Sequence, residues 1–117
     1  MSQATEGNWA RACAVTDLAE GKALGVTIGD QDVALAIDGD DVFAIEDQCS
    51  HALYALSEGP VNGCEIECFL HGSTFNLRTG QPDGLPATIP VATFPVEVRD
   101  GNVYVDVTTT LNGVTPQ

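Results

Sequence analysis

Two cysteine–histidine pairs constrain this 117-residue chain more than any other feature. Its only two histidines each follow a cysteine at short range, in Cys49-Ser50-His51 and Cys68-Phe69-Leu70-His71. The spacing is C-x-H, then residues 52–67, then C-x-x-H. Two thiolates and two imidazoles form a donor set suited to a transition metal. If they serve one centre, the fold must bring two short segments to the same place and hold them there.

The strand signals say what could hold them. Gln31–Ile37 alternates Val33, Leu35 and Ile37 with Ala34 and Ala36. The turn-forming Asp38-Gly39-Asp40-Asp41 and a second apolar run, Val42–Glu46, follow. Nearer the C-terminus, Val96 and Val98 alternate with Glu97 and Arg99. Asp100-Gly101-Asn102 then turns the chain into Val103, Val105 and Val107, which predicts a half-buried antiparallel hairpin with its valines facing inward. Trp9–Val15 and Gly25–Ile28 are weaker strand candidates. Helix signal is confined to one capped turn at Thr16–Glu20, with Thr16 or Asp17 as N-cap and Gly21 as its end. The middle of the chain holds both histidines, three of the four cysteines and many glycines and prolines. The expected fold is therefore all-β: one domain over residues 1–117, a small antiparallel sandwich or barrel with an inserted, loop-rich subdomain at about 46–86. Loops of that length in a small domain usually carry function.

Charge removes several function classes. There are 17 Asp and Glu residues against 4 Lys and Arg, a formal net charge of −13. Arg11, Lys22, Arg78 and Arg99 are too few and too scattered to form a basic patch, so nucleic acid and anionic membranes are poor partners. A basic protein surface is the natural complement. Glu46, Asp47, Glu58, Glu65 and Glu67 lie close in sequence to the Cys/His segments and are expected to contribute to a docking face. No stretch approaches the roughly 20 apolar residues that span a bilayer, and Met1–Thr16 lacks the pattern of a secretion signal. A cytoplasmic location follows as an expectation. The cysteines are then ligands or buried thiols before they are disulfides.

Three readings of the Cys/His constellation compete. The first is coincidence, with buried thiols and surface histidines. The second is tetrahedral zinc in an interaction module, although structural zinc sites usually pair like ligands in each knuckle. Cys64 and Cys68, as C-x-x-x-C, keep that reading open. The third is a Rieske 2Fe–2S centre, in which two cysteines hold one iron and two histidines the other, so that each segment supplies one ligand of each kind. An enzyme with Cys49 or Cys68 as nucleophile beside a histidine is a further alternative.

The chain resembles the Rieske-type ferredoxins that serve bacterial aromatic-ring-hydroxylating dioxygenases. The resemblance runs through Trp9-Ala10-Arg11-Ala12-Cys13, Gln48-Cys49-Ser50-His51, Ile66-Glu67-Cys68-Phe69-Leu70-His71-Gly72, Arg78-Thr79-Gly80, Leu85-Pro86-Ala87 and the closing Val96–Val107 hairpin. It implies that Cys49 and Cys68 bind one iron and His51 and His71 the other, the imidazoles through Nδ1 with Nε2 near the surface. The segment around Pro86 resembles the proline loop that covers a third side of the cluster. Phe69 departs from the proline common at that position. Cys64 becomes a bystander, and Cys13 a small buried hydrophobe.

The resemblance also implies a function, that of a soluble one-electron carrier which is not itself an enzyme. Electrons would come from an NAD(P)H-dependent flavoprotein reductase and go to a terminal oxygenase, with the carrier expected to be a monomer. The small subunit of a nitrite-reductase-like system is the rival within the same reading. Two ferric ions, two sulfides and two thiolates sum to zero formal charge, whereas an all-cysteine cluster sits at −2. Histidine ligation therefore raises the potential, to about −150 to +300 mV across Rieske centres. High-potential relatives carry a disulfide whose positions are Tyr54 and Leu70 here. They also carry a serine and a tyrosine donating to the cluster; Ser73 matches the serine, but Phe75 replaces the tyrosine. Together with the negative charge, this places the expected potential at the low end.

Overall fold

A computed structural model describes residues 9–48, 55–68, 74–83 and 90–114. Its regular structure is antiparallel β, with eleven strands in three sheets and two single 3-10 turns among the described residues. The first sheet has the order β1-β11-β10, formed by Ala10–Ala14, Asn102–Val105 and Val96–Arg99. The second has the order β2-β3-β4-β9, formed by Leu24–Ile28, Gln31–Asp38, Asp41–Glu46 and Thr93–Phe94. The third has the order β5-β6-β7-β8, formed by Val61–Asn62, Glu65–Glu67, Thr74–Asn76 and Pro82–Asp83.

The second sheet is the middle layer, and the side chains of β3 and β4 show why. Val33 and Leu35 enter one buried cluster with Ala44, Phe94, Cys13, Val103 and Val105, against the first sheet. Ala34 and Ala36 enter the other, with Ile45, Leu56, Ile66, Cys68, Phe75 and Leu77, against the third. Register matches large to small across the two strands: Leu35 lies opposite Ala44, Ala34 opposite Ile45, and Ala36 opposite Phe43. Each face therefore stays level enough for another sheet to pack on it, and β3 is buried on both sides. The alternation of large residues with alanine marks a strand sandwiched between two cores.

The C-terminal hairpin forms as expected around Asp100 (φ 52°) and Gly101 (φ 79°). Positive φ at both central residues is the tight-turn geometry that Asp-Gly favours. Its valine face is only partly inward. Val103 and Val105 are fully buried, but Val98, on the edge strand, is 47% exposed. The expected helical turn is a 3-10 turn at Val15–Asp17, earlier than Thr16–Glu20, with Ala14 as its cap residue. Asp17 acts from the third helical position instead of as N-cap, its carboxylate accepting from Ala14 N–H at 3.1 Å.

The insertion lies between β4 and β9, which are hydrogen-bonded neighbours despite the intervening residues 47–92. Its neck is closed twice by one residue pair: Glu46 N–H donates to Ala92 O (2.9 Å), and Ala92 N–H donates to Glu46 Oε1 (2.7 Å). The inserted part is not merely loops. It contains the third sheet, whose strands of two or three residues are too short to leave a periodic pattern in sequence.

Candidate metal centre

The third sheet collects the candidate ligand segments at one of its ends. Glu67 N–H donates to Pro60 O at 2.9 Å. Glu67 lies opposite Thr74, and Thr74 opposite Asp83. Pro60, Glu67, Thr74 and Asp83 thus form one row across the sheet. From that row the chain leaves through Cys68 and returns at Thr74, and it leaves again after Asp83 toward Pro90. A third segment is tied to the same end, because Asp47 at the end of β4 accepts hydrogen bonds from Ser57 N–H and Ser57 Oγ–H, each at 2.7 Å. Ser57 sits in the 3-10 turn Leu56–Glu58, just before Pro60. The ends of segments 48–56 and 68–74 and the start of the segment after Asp83 therefore lie at one end of the small sheet.

Those segments contain the four candidate ligands together with Ser73 and Pro86. Cys49 and His51 belong to the first, Cys68, His71 and Ser73 to the second, and Pro86 to the third. Of these, only Cys68 is among the described residues; Cys49, His51, His71, Ser73 and Pro86 lie outside them. Cys68 immediately follows β6 and is completely buried in the cluster that holds Leu56, Ile66 and Phe75. Its surroundings offer no other charge, so were Cys68 to ligate, the metal itself would have to offset the thiolate's lost hydration. Phe75, in β7 opposite Ile66, is also fully buried and adds only apolar surface.

The geometry separates Cys64 from Cys68. The extended strand Glu65–Glu67 lies between them, so four residues at strand rise set them about 13 Å apart. That is too far for one shared ion, and Cys64 is a bystander on the core's edge. Cys13 is buried among the sandwich valines, where burial first and Asp17 second push its thiol up from its ordinary value. At the opposite end of β7, the Asp41 carboxylate accepts from Arg78 Nη2 at 2.9 Å and raises the guanidinium's pKa further; Arg78 also lies 4.9 Å over the Phe43 ring.

The acidic residues divide in a way their sequence positions do not reveal. Glu46 is 3% exposed and holds the neck of the insertion, so it is no part of a docking face. Asp47 is half-buried and engaged with Ser57, while Glu58 is exposed and Glu65 and Glu67 are half-buried. Asp30, Gln31, Asp32, Glu46, Asp47 and Gln48 line one small acidic recess beside the first stem. The Asp47–Ser57 contact and the Glu46–Ala92 neck were not singled out from sequence. An acidic pair ending a strand carries no signal for partners ten and 46 residues away.

Comparison with known proteins decides among the readings of the constellation. The family model described as Rieske [2Fe-2S] domain matches residues 8–95. The chain belongs to the Rieske family. The family's cofactor is a Rieske 2Fe–2S cluster, which sets aside the zinc reading for this chain. The chain is 42% identical over 98 residues to ferredoxin CarAc of Metapseudomonas resinovorans, covering 83% of this chain and 92% of that one. It is 43% identical over 96 residues to the 3-phenylpropionate/cinnamic acid dioxygenase ferredoxin subunit of Photorhabdus laumondii, covering 81% and 90%. Among solved Rieske structures, the complex of reduced oxygenase and oxidized ferredoxin in carbazole 1,9a-dioxygenase aligns with TM-score 0.80 and 40% identity, over 86% of this chain and 94% of that chain. The terminal oxygenase of carbazole 1,9a-dioxygenase from Nocardioides aromaticivorans IC177 aligns over 95% of this chain but 32% of its own length, with TM-score 0.76 and 29% identity. The matched fold thus takes up nearly all of the one chain and about a third of the other.

Proposed function

We propose that this Rieske protein is the electron-carrying ferredoxin of an aromatic-ring-hydroxylating dioxygenase system. Cys49 and Cys68 hold one iron of its 2Fe–2S cluster, and His51 and His71 hold the other. The observation that carries the proposal is that Ser57, Cys68, Thr74 and Asp83, where the three segments begin or end, lie at one end of the third sheet, with Cys68 buried at its edge. When bound, the cluster supplies one-electron redox chemistry. The chain's own contribution is to bury the Cys68 thiol, where Leu56, Ile66 and Phe75 exclude water. Phe75 offers no hydrogen-bond donor, and the surplus of carboxylates disfavours added negative charge, so the potential lies at the low end of the Rieske range.

The partners follow from the same reading. A terminal oxygenase takes the electron, as the ferredoxin–oxygenase complex of carbazole 1,9a-dioxygenase suggests by similarity. A flavoprotein reductase supplies it. Among the described residues no helix is long and apolar enough to cross a membrane, and a monomer in the cytoplasm suits a carrier that exchanges partners through small, transient contacts. The remaining surface acids, Glu58 among them, select basic docking surfaces, so transfer slows as salt rises.

The test begins with iron and acid-labile sulfide on the purified protein, where two of each per chain are expected. Cys49→Ala, His51→Ala, Cys68→Ala and His71→Ala should each abolish the Rieske EPR signal of the reduced protein. Retention of the signal in any of them removes that residue from the ligand set. Reconstitution with a flavoprotein reductase and a ring-hydroxylating oxygenase then separates this role from a nitrite-reductase-type subunit.

A further inference from the structure

One carboxylate closes the stem of the segment that carries Cys49 and His51. Asp47, the first residue beyond β4, receives both the N–H and the Oγ–H of Ser57, each at 2.7 Å, and its own N–H donates to Asp32 O at 3.0 Å. The contact spans the nine residues 48–56, so it brings together the two ends of that segment. Hydrogen bonds to an ionised acceptor are about twice as strong as neutral ones, and joining the ends removes much of the conformational freedom of the chain between them. The third part of the arrangement is Gly25 on the neighbouring edge strand β2. A Cβ there would lie 2.7 Å from Ser57 Oγ and 2.9 Å from Asp47 Oδ2, so a side chain at Gly25 would collide with the pair itself.

We propose that Asp47 is a positioning residue for the cluster: by clasping Ser57 over Gly25 it fixes the ends of segment 48–56 and so sets how Cys49 and His51 are presented to the irons. This rests on the assignment of Cys49 and His51 as ligands. Asp47 touches neither iron in this scheme and acts only through the segment it closes. The agent is hydrogen-bond geometry, and Asn can approximate it. An Asn amide oxygen still accepts from Ser57 N–H, and its NH₂ can donate to Ser57 Oγ.

The holoprotein tests this with Asp47→Ala, Asp47→Asn, Ser57→Ala and Gly25→Ala, using Val103→Ala as a control in the opposite core. Iron and sulfide content, the EPR line shape of the reduced protein and the rate of cluster loss to a chelator are measured for each. Asp47→Ala and Gly25→Ala should broaden the EPR lines and speed cluster loss about tenfold or more, each charge-assisted hydrogen bond being worth a factor of that order. Ser57→Ala should fall between them and wild type, and Asp47→Asn should restore nearly wild-type behaviour. Val103→Ala should lower the unfolding temperature with unchanged EPR lines. Wild-type line shape and chelator rate in Asp47→Ala would overturn the proposal. So would broadening in Val103→Ala, or an Asp47→Asn protein that behaves like the alanine variant. If Asp47→Ala fails to fold, Gly25→Ala and Ser57→Ala decide, since both leave the carboxylate in place. A wild-type protein without iron and sulfide overturns the ligand assignment and this proposal with it, whereas an intact wild type beside an indifferent Asp47→Ala overturns this proposal alone.

Discussion

The two cores of this protein are built on opposite faces of the same strands, yet they differ in what holds them. Between the first and second sheets, strands of up to eight residues meet through tight turns, and Val33, Leu35, Phe94, Val103 and Val105 close the space without help. Between the second and third sheets, the facing strands have two or three residues each, and ten buried side chains include the candidate ligand Cys68. Short strands contribute few ladder hydrogen bonds, so this layer depends on packing against β3 and β4 and on whatever ties its loop ends together. One half of the molecule is a scaffold that stands by itself. The other half is a mount, whose short strands carry the candidate ligand Cys68 at their edge.

The largest expected effect comes from removing the cluster. Metal binding free energy is folding free energy wherever the site does not preform. Chelation should therefore strip hydrogen-exchange protection from β5–β8 while β3, β4 and β11 keep theirs. Uniform loss across all three sheets would break the distinction between scaffold and mount. Next is a pair of core truncations of comparable size. Phe75→Ala should cost about 3–5 kcal/mol and Leu35→Ala about 2–5 kcal/mol in chemical denaturation. Only the first should also lower cluster content, because Phe75 shares its buried cluster with Cys68 and Leu35 does not.

A smaller effect tests the level face of β3. Ala36→Leu forces bulk between the second and third sheets opposite Phe43, and should destabilise by about 1–3 kcal/mol, with a rise in chelator sensitivity as the mount is pushed away. The smallest concerns pH and belongs to the scaffold. Cys13 is buried, and burial first and Asp17 second raise its thiol pKa in the folded protein. A raised thiol pKa favours the folded state while the group is protonated. That contribution is fully present below the unfolded value and is lost as pH rises through the folded one. Stability should accordingly fall on the alkaline side, and Cys13→Ala should flatten that limb in a denaturation series. An unchanged alkaline slope would remove Cys13 as its source.

How much could be read beforehand follows the same division. Strands β3, β4, β10 and β11 were legible because each is long enough to show a period of two and is bounded by Asp/Gly turns. The strands of the third sheet were not, because two or three residues have no period. Val98 follows the apolar pattern yet is exposed, since an edge strand can extend beyond the layer it packs on. Glu46 seemed to belong to an acidic surface and is instead the buried fastening of the neck. Charge in sequence says nothing about which carboxylates find buried N–H donors.

The sequence alone determined which donors are on offer: two histidines spaced against two cysteines form the candidate set, and donor type and order are covalent facts that folding does not change. Only the tertiary structure decided where the ends of the segments that carry those donors lie. Pairing of Glu67 with Thr74 and of Thr74 with Asp83, and the grip of Asp47 on Ser57, bring three distant segments to one end of one small sheet. Those contacts join residues with no shared local pattern. Their energy comes from burial and hydrogen bonding that exist only once the layers have come together.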